Sequence, residues 1–298
     1  MDQSDSWVAL ASEALSAAVN PHGAELSELR DAAGQDLLWN GDPAVWSGRA
    51  PILFPIVGTL AGGVYRLGAR QFPLPRHGFA RRNQFQLLHR NTSSAAFRLK
   101  ADERTLQVYP FDFELDIEFA LEDSSLNLTA TVRNLGDDTM PASIGYHPAF
   151  RWPLPYGEPR ASHFIEFEFD ETAPVRRLDP DGLLTTERHA SPIRQRRLLL
   201  ADALFENDAL IFDDLRSRHV TYGAATGPRI RLSFPDAPYL GIWSKPGAGF
   251  VCIEPWQGIA DPHGYEGTFS AKPGIFRVAP RASFVMRMSV TLLQPRPL

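Results

Sequence analysis

The chain has 298 residues, 44% of them hydrophobic, which is enough to bury a substantial core, and all-β sandwiches of this size form single units, so one domain spanning 1–298 is expected. A net charge of -5, with scattered arginines and almost no lysine, leaves no electrostatic footprint for a polyanion and excludes nucleic acid as the expected partner. The lone cysteine, Cys252, excludes an internal disulfide framework and any multi-thiolate metal cluster, which suits a reducing, cytoplasmic location.

Met1 to Ser6 carries two Asp and no basic residue before Trp7, and no later apolar run approaches membrane-helix length. Neither an ordinary export signal nor a membrane partner is therefore expected. The window Ser12 to Ala18 suits a short helix by its alanine content and a strand equally well, and Asn20-Pro21-His22-Gly23 ends it in either case. Period-two alternation is plainer further on. Phe113, Leu115, Ile117 and Phe119 interleave with Glu114, Asp116 and Glu118; Leu126, Leu128, Ala130 and Val132 interleave with Asn127, Thr129 and Thr131. Each run predicts a strand with one wet face, and the short link Glu122-Asp123-Ser124-Ser125 predicts a hairpin between them. Ile165 to Phe169, Ile230 to Phe234 and Phe284 to Leu293 follow the same rule. With 25 Pro and 22 Gly spread along the chain, the pattern is an all-β protein of many short strands, a large sandwich or barrel with few short helices. The Pro-rich patch Trp152 to Pro159 and the Arg-rich patch Arg176 to Arg197 read as loops over that core.

Three residues stand out chemically. Glu254 ends the apolar run Phe250-Val251-Cys252-Ile253, where a carboxylate is either turned to water or buried for a function. His147, between Tyr146 and Pro148, is held extended by the proline and is either a hydrogen-bonded core histidine or a site residue. His77, in Arg76-His77-Gly78-Phe79-Ala80-Arg81, is either a turn histidine or a partner to Arg81 in holding an anion or sugar hydroxyl. Two imidazoles and a carboxylate are the groups that can move protons near neutral pH. Trp39, Trp46, Trp152, Trp243 and Trp256 are core or stacking platforms for the C–H face of a pyranose. His22 and His263 read as turn residues. No two histidines stand at metal-binding i, i+2 or i, i+4 spacing, so no metal is expected, and no nucleophile elbow or phosphate-binding glycine loop is present.

Six ordered motifs carry a resemblance. They are His22-Gly23-Ala24-Glu25-Leu26, Arg49 to Gly58, His77-Gly78-Phe79-Ala80-Arg81, Gly145 to Phe150, Tyr239 to Pro246, and Ile253-Glu254-Pro255-Trp256. In these the chain resembles the aldose 1-epimerases, or galactose mutarotase-like proteins, of the lactose-operon-associated branch. The resemblance implies a large antiparallel β-supersandwich, a cleft on its concave face, no cofactor, and interconversion of the α and β anomers of a free hexose. By motif it implies Glu254 as general base and His147 as general acid, flanking the C1–O5 unit of the sugar, with His77, Arg49, Arg81, Trp243 and Asp208 binding it. The first histidine motif differs from the Asn- and Gly-rich version of the better-known galactose enzymes, so galactose specificity does not carry over. Two alternatives remain: a hexose 6-phosphate epimerase using Arg49, Arg81, Arg82 and Lys245, and a sugar-binding or regulatory protein without turnover.

Overall fold

A computed structural model describes residues 7–295; the Met1–Ser6 segment considered for an export signal lies outside them. Two large antiparallel sheets dominate. The first has nine strands, in spatial order Arg197–Leu199, Phe164–Phe167, His219–Gly223, Arg229–Ser233, Ser283–Leu293, Ser125–Asn134, Phe113–Glu122, Ser94–Lys100 and Gln86–Arg90. The second runs Leu210–Phe212, Tyr239–Trp243, Phe250–Gln257, Ile144–Tyr146 and Ile52–Leu53, with Ala149–Arg151 also paired to Phe250–Gln257. A three-stranded sheet, Val8–Ala11, Leu15–Asn20 and Glu25–Asp31, accompanies them. The ambiguous window after Ser12 is thus a strand: its residues pair with both neighbours, and sheet hydrogen bonds outweigh alanine's helix propensity. Among the described residues the one α-helix is Glu103–Val108, opened by Asp102, whose carboxylate accepts the Thr105 N–H. No helix there is long and apolar enough to cross a membrane.

The predicted hairpin forms, with Phe113–Glu122 and Ser125–Asn134 paired from Asn134↔Phe113 to Ser125↔Glu122. Its polar face is not simply wet. Glu114 and Asp116 are buried under Arg98, Lys100 and Arg133, whose cations replace the water that the alternation predicts. The opposite face, with Leu115, Ile117, Leu128, Ala130 and Val132, joins Val251, Ile253, Tyr146 and Phe150 of the second sheet in one buried cluster. The sheets therefore pack face to face, and the Tyr146 hydroxyl crosses the gap to donate to the Met286 carbonyl at 2.8 Å.

Period two along Phe250–Gln257 then dictates the site. Val251 and Ile253 point into the inter-sheet core, so Cys252, Glu254 and Trp256 must point to the other face. The same alternation in Tyr146-His147-Pro148-Ala149-Phe150 puts Tyr146 and Phe150 in the core and sends His147 out beside Glu254.

Candidate active site

His147 interrupts the second sheet between Ile144–Tyr146 and Ala149–Arg151, yet both flanks keep one register against the neighbouring strand: Gly145 faces Trp256 and Ala149 faces Cys252. That register sets His147 directly across from Glu254. Its Nε2 lies 3.0 Å from Glu254 Oε2, with the two residues 7% and 2% exposed. On the other side Glu254 faces Gly241, and the Trp256 indole lies over the bare Cα of Gly241 and of Gly145, whose Cβ would come within 2.6 Å of the ring. The two glycines form the slot that lets so large a ring lie flat against the sheet.

His77 enters from a loop tied to the strand Ile52–Leu53. Gly78 bridges Phe54, and His77 exchanges bonds with Gly58, giving its N–H to the Gly58 carbonyl at 2.8 Å and accepting the Gly58 N–H on Nδ1 at 3.1 Å. Burial first, then the charges of His147, Arg76 and Arg81, hold its imidazole well below the ordinary histidine value. The ring is therefore neutral, and because Nδ1 accepts, its proton sits on Nε2. It meets His147 edge to face at 5.8 Å between ring centres.

These residues line one cleft of about 270 Å³, at the small end for a ligand pocket and sized for one compact molecule. Trp46, Trp243 and Trp256 form apolar walls, with Trp46 stacked on the His147 ring at 5.3 Å, and Arg76, Arg81 and Asp208 stand at the polar side. Of the residues expected at a sugar site, the structure gathers Glu254, His147, His77, Arg81, Trp243 and Asp208 around this cleft. Asp208 sits at positive φ, with its carboxylate accepting the Ala209 N–H at 2.7 Å and lying 4.0 Å from Arg76 Nη2.

Arg49 does not join them. Its Nη1 donates to the Ser27 carbonyl at 2.7 Å, and its guanidinium lies over the Trp7 ring, 4.9 Å from the centroid. A carbonyl, an aromatic face and the nearby charges of Glu25 and Glu28 hold the cation away from the cleft. Lys245, invoked for a phosphate, instead donates to the Val45 carbonyl at 3.2 Å, and Arg82 does not line the cleft. Arg76, by contrast, lines it and was not singled out, although it opens the motif that contains His77 and Arg81. Of the five tryptophans offered as stacking platforms, Trp39 and Trp152 lie elsewhere. Trp152 is buried and Trp39 packs on Phe250.

Without a bound sugar, the residues expected on either side of its C1–O5 unit are cross-strand neighbours in direct contact. Sequence spacing also hides a third neighbour. Cys252, His147 and Glu254 present side-chain atoms within 4.8 Å of one another. Burial first, then the Glu254 charge, push the Cys252 thiol well above its usual value, so it stays a protonated thiol rather than a thiolate ligand. What this arrangement offers chemically is a buried imidazole–carboxylate pair at the floor of a cleft walled by flat apolar rings.

The comparisons with known proteins agree with this architecture. The chain is 33% identical over 296 residues to the plasmid-borne protein LacX of Lactococcus lactis subsp. lactis, covering 96% of this chain and 99% of that one. Its fold superposes on a galactose mutarotase related enzyme from Lactobacillus acidophilus with a TM-score of 0.90 at 31% identity, covering 97% of each chain. A galactose mutarotase-like protein from Lactobacillus casei gives 0.89 at 28% identity, covering 96% of this chain and all of that one. The aldose 1-epimerase family profile matches residues 7–264. The chain belongs to the aldose 1-epimerase family.

Proposed function

We propose that the protein is an aldose 1-epimerase that interconverts the α and β anomers of a hexose with a free anomeric hydroxyl. The observation that carries this reading is the buried His147 Nε2–Glu254 Oε2 contact of 3.0 Å at the floor of a tryptophan-walled cleft. A binder has no use for a buried acid–base pair at that point, which is why turnover is favoured over binding alone.

In this reading the sugar parts the pair. Its two hemiacetal oxygens hang on one carbon, so side chains that touch each other can reach both. Glu254 takes the proton of the anomeric hydroxyl while His147 delivers one from Nε2 to the ring oxygen, and the C1–O5 bond breaks to give the open aldehyde. Rotation about C1–C2 presents the other carbonyl face. The ring oxygen then adds back, returning its proton to His147 as Glu254 reprotonates the new anomeric oxygen. Protons balance within the cycle. The neutral His77, with its proton on Nε2, donates to a sugar oxygen, and Trp46, Trp243 and Trp256 hold the C–H faces.

The test is polarimetry of freshly dissolved α-D-glucose and α-D-galactose with the wild type and the Glu254→Gln and His147→Asn variants. Each substitution is expected to lower kcat by about 10² or more, the usual contribution of a positioned acid or base, while the protein stays folded. A folded Glu254→Gln variant with near-normal activity would remove the assignment.

A further inference from the structure

His77 is offered two hydrogen bonds and can accept one. The Gly58 N–H lies 3.1 Å from Nδ1, and Arg76 Nε lies 3.3 Å from Nε2. A neutral imidazole has one proton and one free lone pair on its ring nitrogens, so whichever donor it accepts sends the proton to the opposite nitrogen. Gly58 is buried and its donor is backbone, whereas the Arg76 side chain is 46% exposed and can turn to water. The contest goes to Gly58 for as long as its peptide stays in place, and the ring then keeps an N–H at Nε2. If that peptide shifted, Arg76 would take the bond, and Nε2 would be an occupied acceptor instead of a donor.

Gly58 is braced from behind by a buried ion pair. Lys272, just after the short turn Phe269–Ala271, and Asp261 are each 3% exposed, and Lys272 Nζ stands 3.2 Å from Asp261 Oδ1. Neither residue lines the cleft. Asp261 Oδ2 accepts the Ala61 N–H at 2.9 Å, the Asp261 N–H donates to the Thr59 carbonyl at 2.9 Å, and Lys272 Nζ donates to the Ile259 carbonyl. Residues 58–61 and 259–261 are thereby clamped together. Inside the clamp Gly58 lies so close to Ala260 that a Cβ on Gly58 would come within 2.5 Å of the Ala260 methyl carbon, which leaves its peptide no room to slide. Burying two charges is costly, and apolar side chains of similar volume often hold a core as well, so stability alone is no reason for this pair. Its charges do what apolar groups cannot: they hold backbone groups of both segments at fixed points. We infer that Lys272 and Asp261 are positioning residues for His77, which from outside the cleft fix the Gly58 peptide and so keep the His77 proton on Nε2. The epimerase reading enters only through the kinetic consequence, a sugar oxygen accepting that N–H.

The double substitution Asp261→Leu with Lys272→Met tests it, because it removes both charges together and leaves neither buried alone. Nitrogen–proton correlation NMR of protein labelled with nitrogen-15 histidine reports which ring nitrogen carries the proton, and the His77 signals are identified by their loss in His77→Asn. Wild type is expected to carry the His77 proton on Nε2. The folded double variant is expected to shift the tautomer ratio toward Nδ1–H by about tenfold, the size of one hydrogen bond's net contribution. With α-D-glucose or α-D-galactose it is expected to raise KM by about fivefold or more and to change kcat less. A wild-type ring protonated on Nδ1, or a ratio unmoved in the folded double variant, would overturn the inference; a pair that serves stability alone would move the urea midpoint and not the tautomer. Should the double variant not fold, Ala61→Pro decides. It deletes the N–H that Asp261 accepts, at the first position of a short turn and after Leu60, whose extended backbone suits a residue before proline. The same tautomer shift is expected there, and its absence would overturn the inference. A shifted tautomer with unchanged KM would uphold the positioning and remove His77 from sugar binding in the epimerase reading. If wild type turns over neither sugar, that reading loses its support and the tautomer decides the inference by itself.

Discussion

His77 is nearly fully buried and held neutral, and this has a consequence for stability. Its folded value lies well below the usual 6.5, so as pH falls past 6.5 the unfolded chain takes up the proton first. The stability it permits is present above that point and is lost as pH falls below it. A His77→Asn variant is expected to lose less stability than wild type between pH 7.5 and 5.5, read as the shift in urea midpoint at the two values. A larger loss in the variant would show that His77 is not the group that resists protonation. At this scale much of the site was readable. Glu254 in an apolar strand, His147 before a proline, and the His77 motif were each marked by a residue type that is costly to bury without a purpose. Arg49 was not readable, because the direction of a long cation depends on which acceptors surround it, here the Ser27 carbonyl and the Trp7 ring.

The strand Phe250–Gln257 separates the inter-sheet core from the cleft by alternation alone, and its cleft face depends on neighbours that lack side chains. Gly241→Ala would set a methyl group into the Trp256 indole. Overpacking of this kind costs about 1–3 kcal/mol, and the displaced ring is expected to raise KM more than it lowers kcat. Denaturant unfolding with steady-state kinetics measures both; an unchanged KM would show that Trp256 does not contact the sugar. The alternation in Phe113–Glu122 was equally plain, but it implied water over Glu114 and Asp116 where three basic side chains from neighbouring strands lie instead. Pairing with Arg98 and Arg133 holds the Asp116 carboxyl below its usual value despite burial. Its stabilisation is present above the ordinary value of 3.8 and is lost as pH falls through the depressed one. Asp116→Asn is expected to lower stability at pH 7 and to narrow the loss on acidification, as followed by thermal unfolding between pH 7 and 3.

At the scale of the whole molecule, two sheets share one core, and Tyr146 ties them one residue before the histidine of the site. Tyr146→Phe leaves the Met286 carbonyl without its donor and is expected to cost about 1–3 kcal/mol. Calorimetry reads that loss, while kcat tests whether the tie also holds His147 in place. The sequence by itself determined the strand-rich character, the core faces of the long strands, and His77, His147 and Glu254 as candidate site residues, because those follow from local alternation and side-chain chemistry. The tertiary structure alone decided that His147 lies across from Glu254, that Trp256 has two glycines to lie on, and that Arg76 rather than Arg49 reaches the cleft. Those outcomes depend on strand register and on competition among distant partners, and neither is encoded in the spacing of residues along one segment.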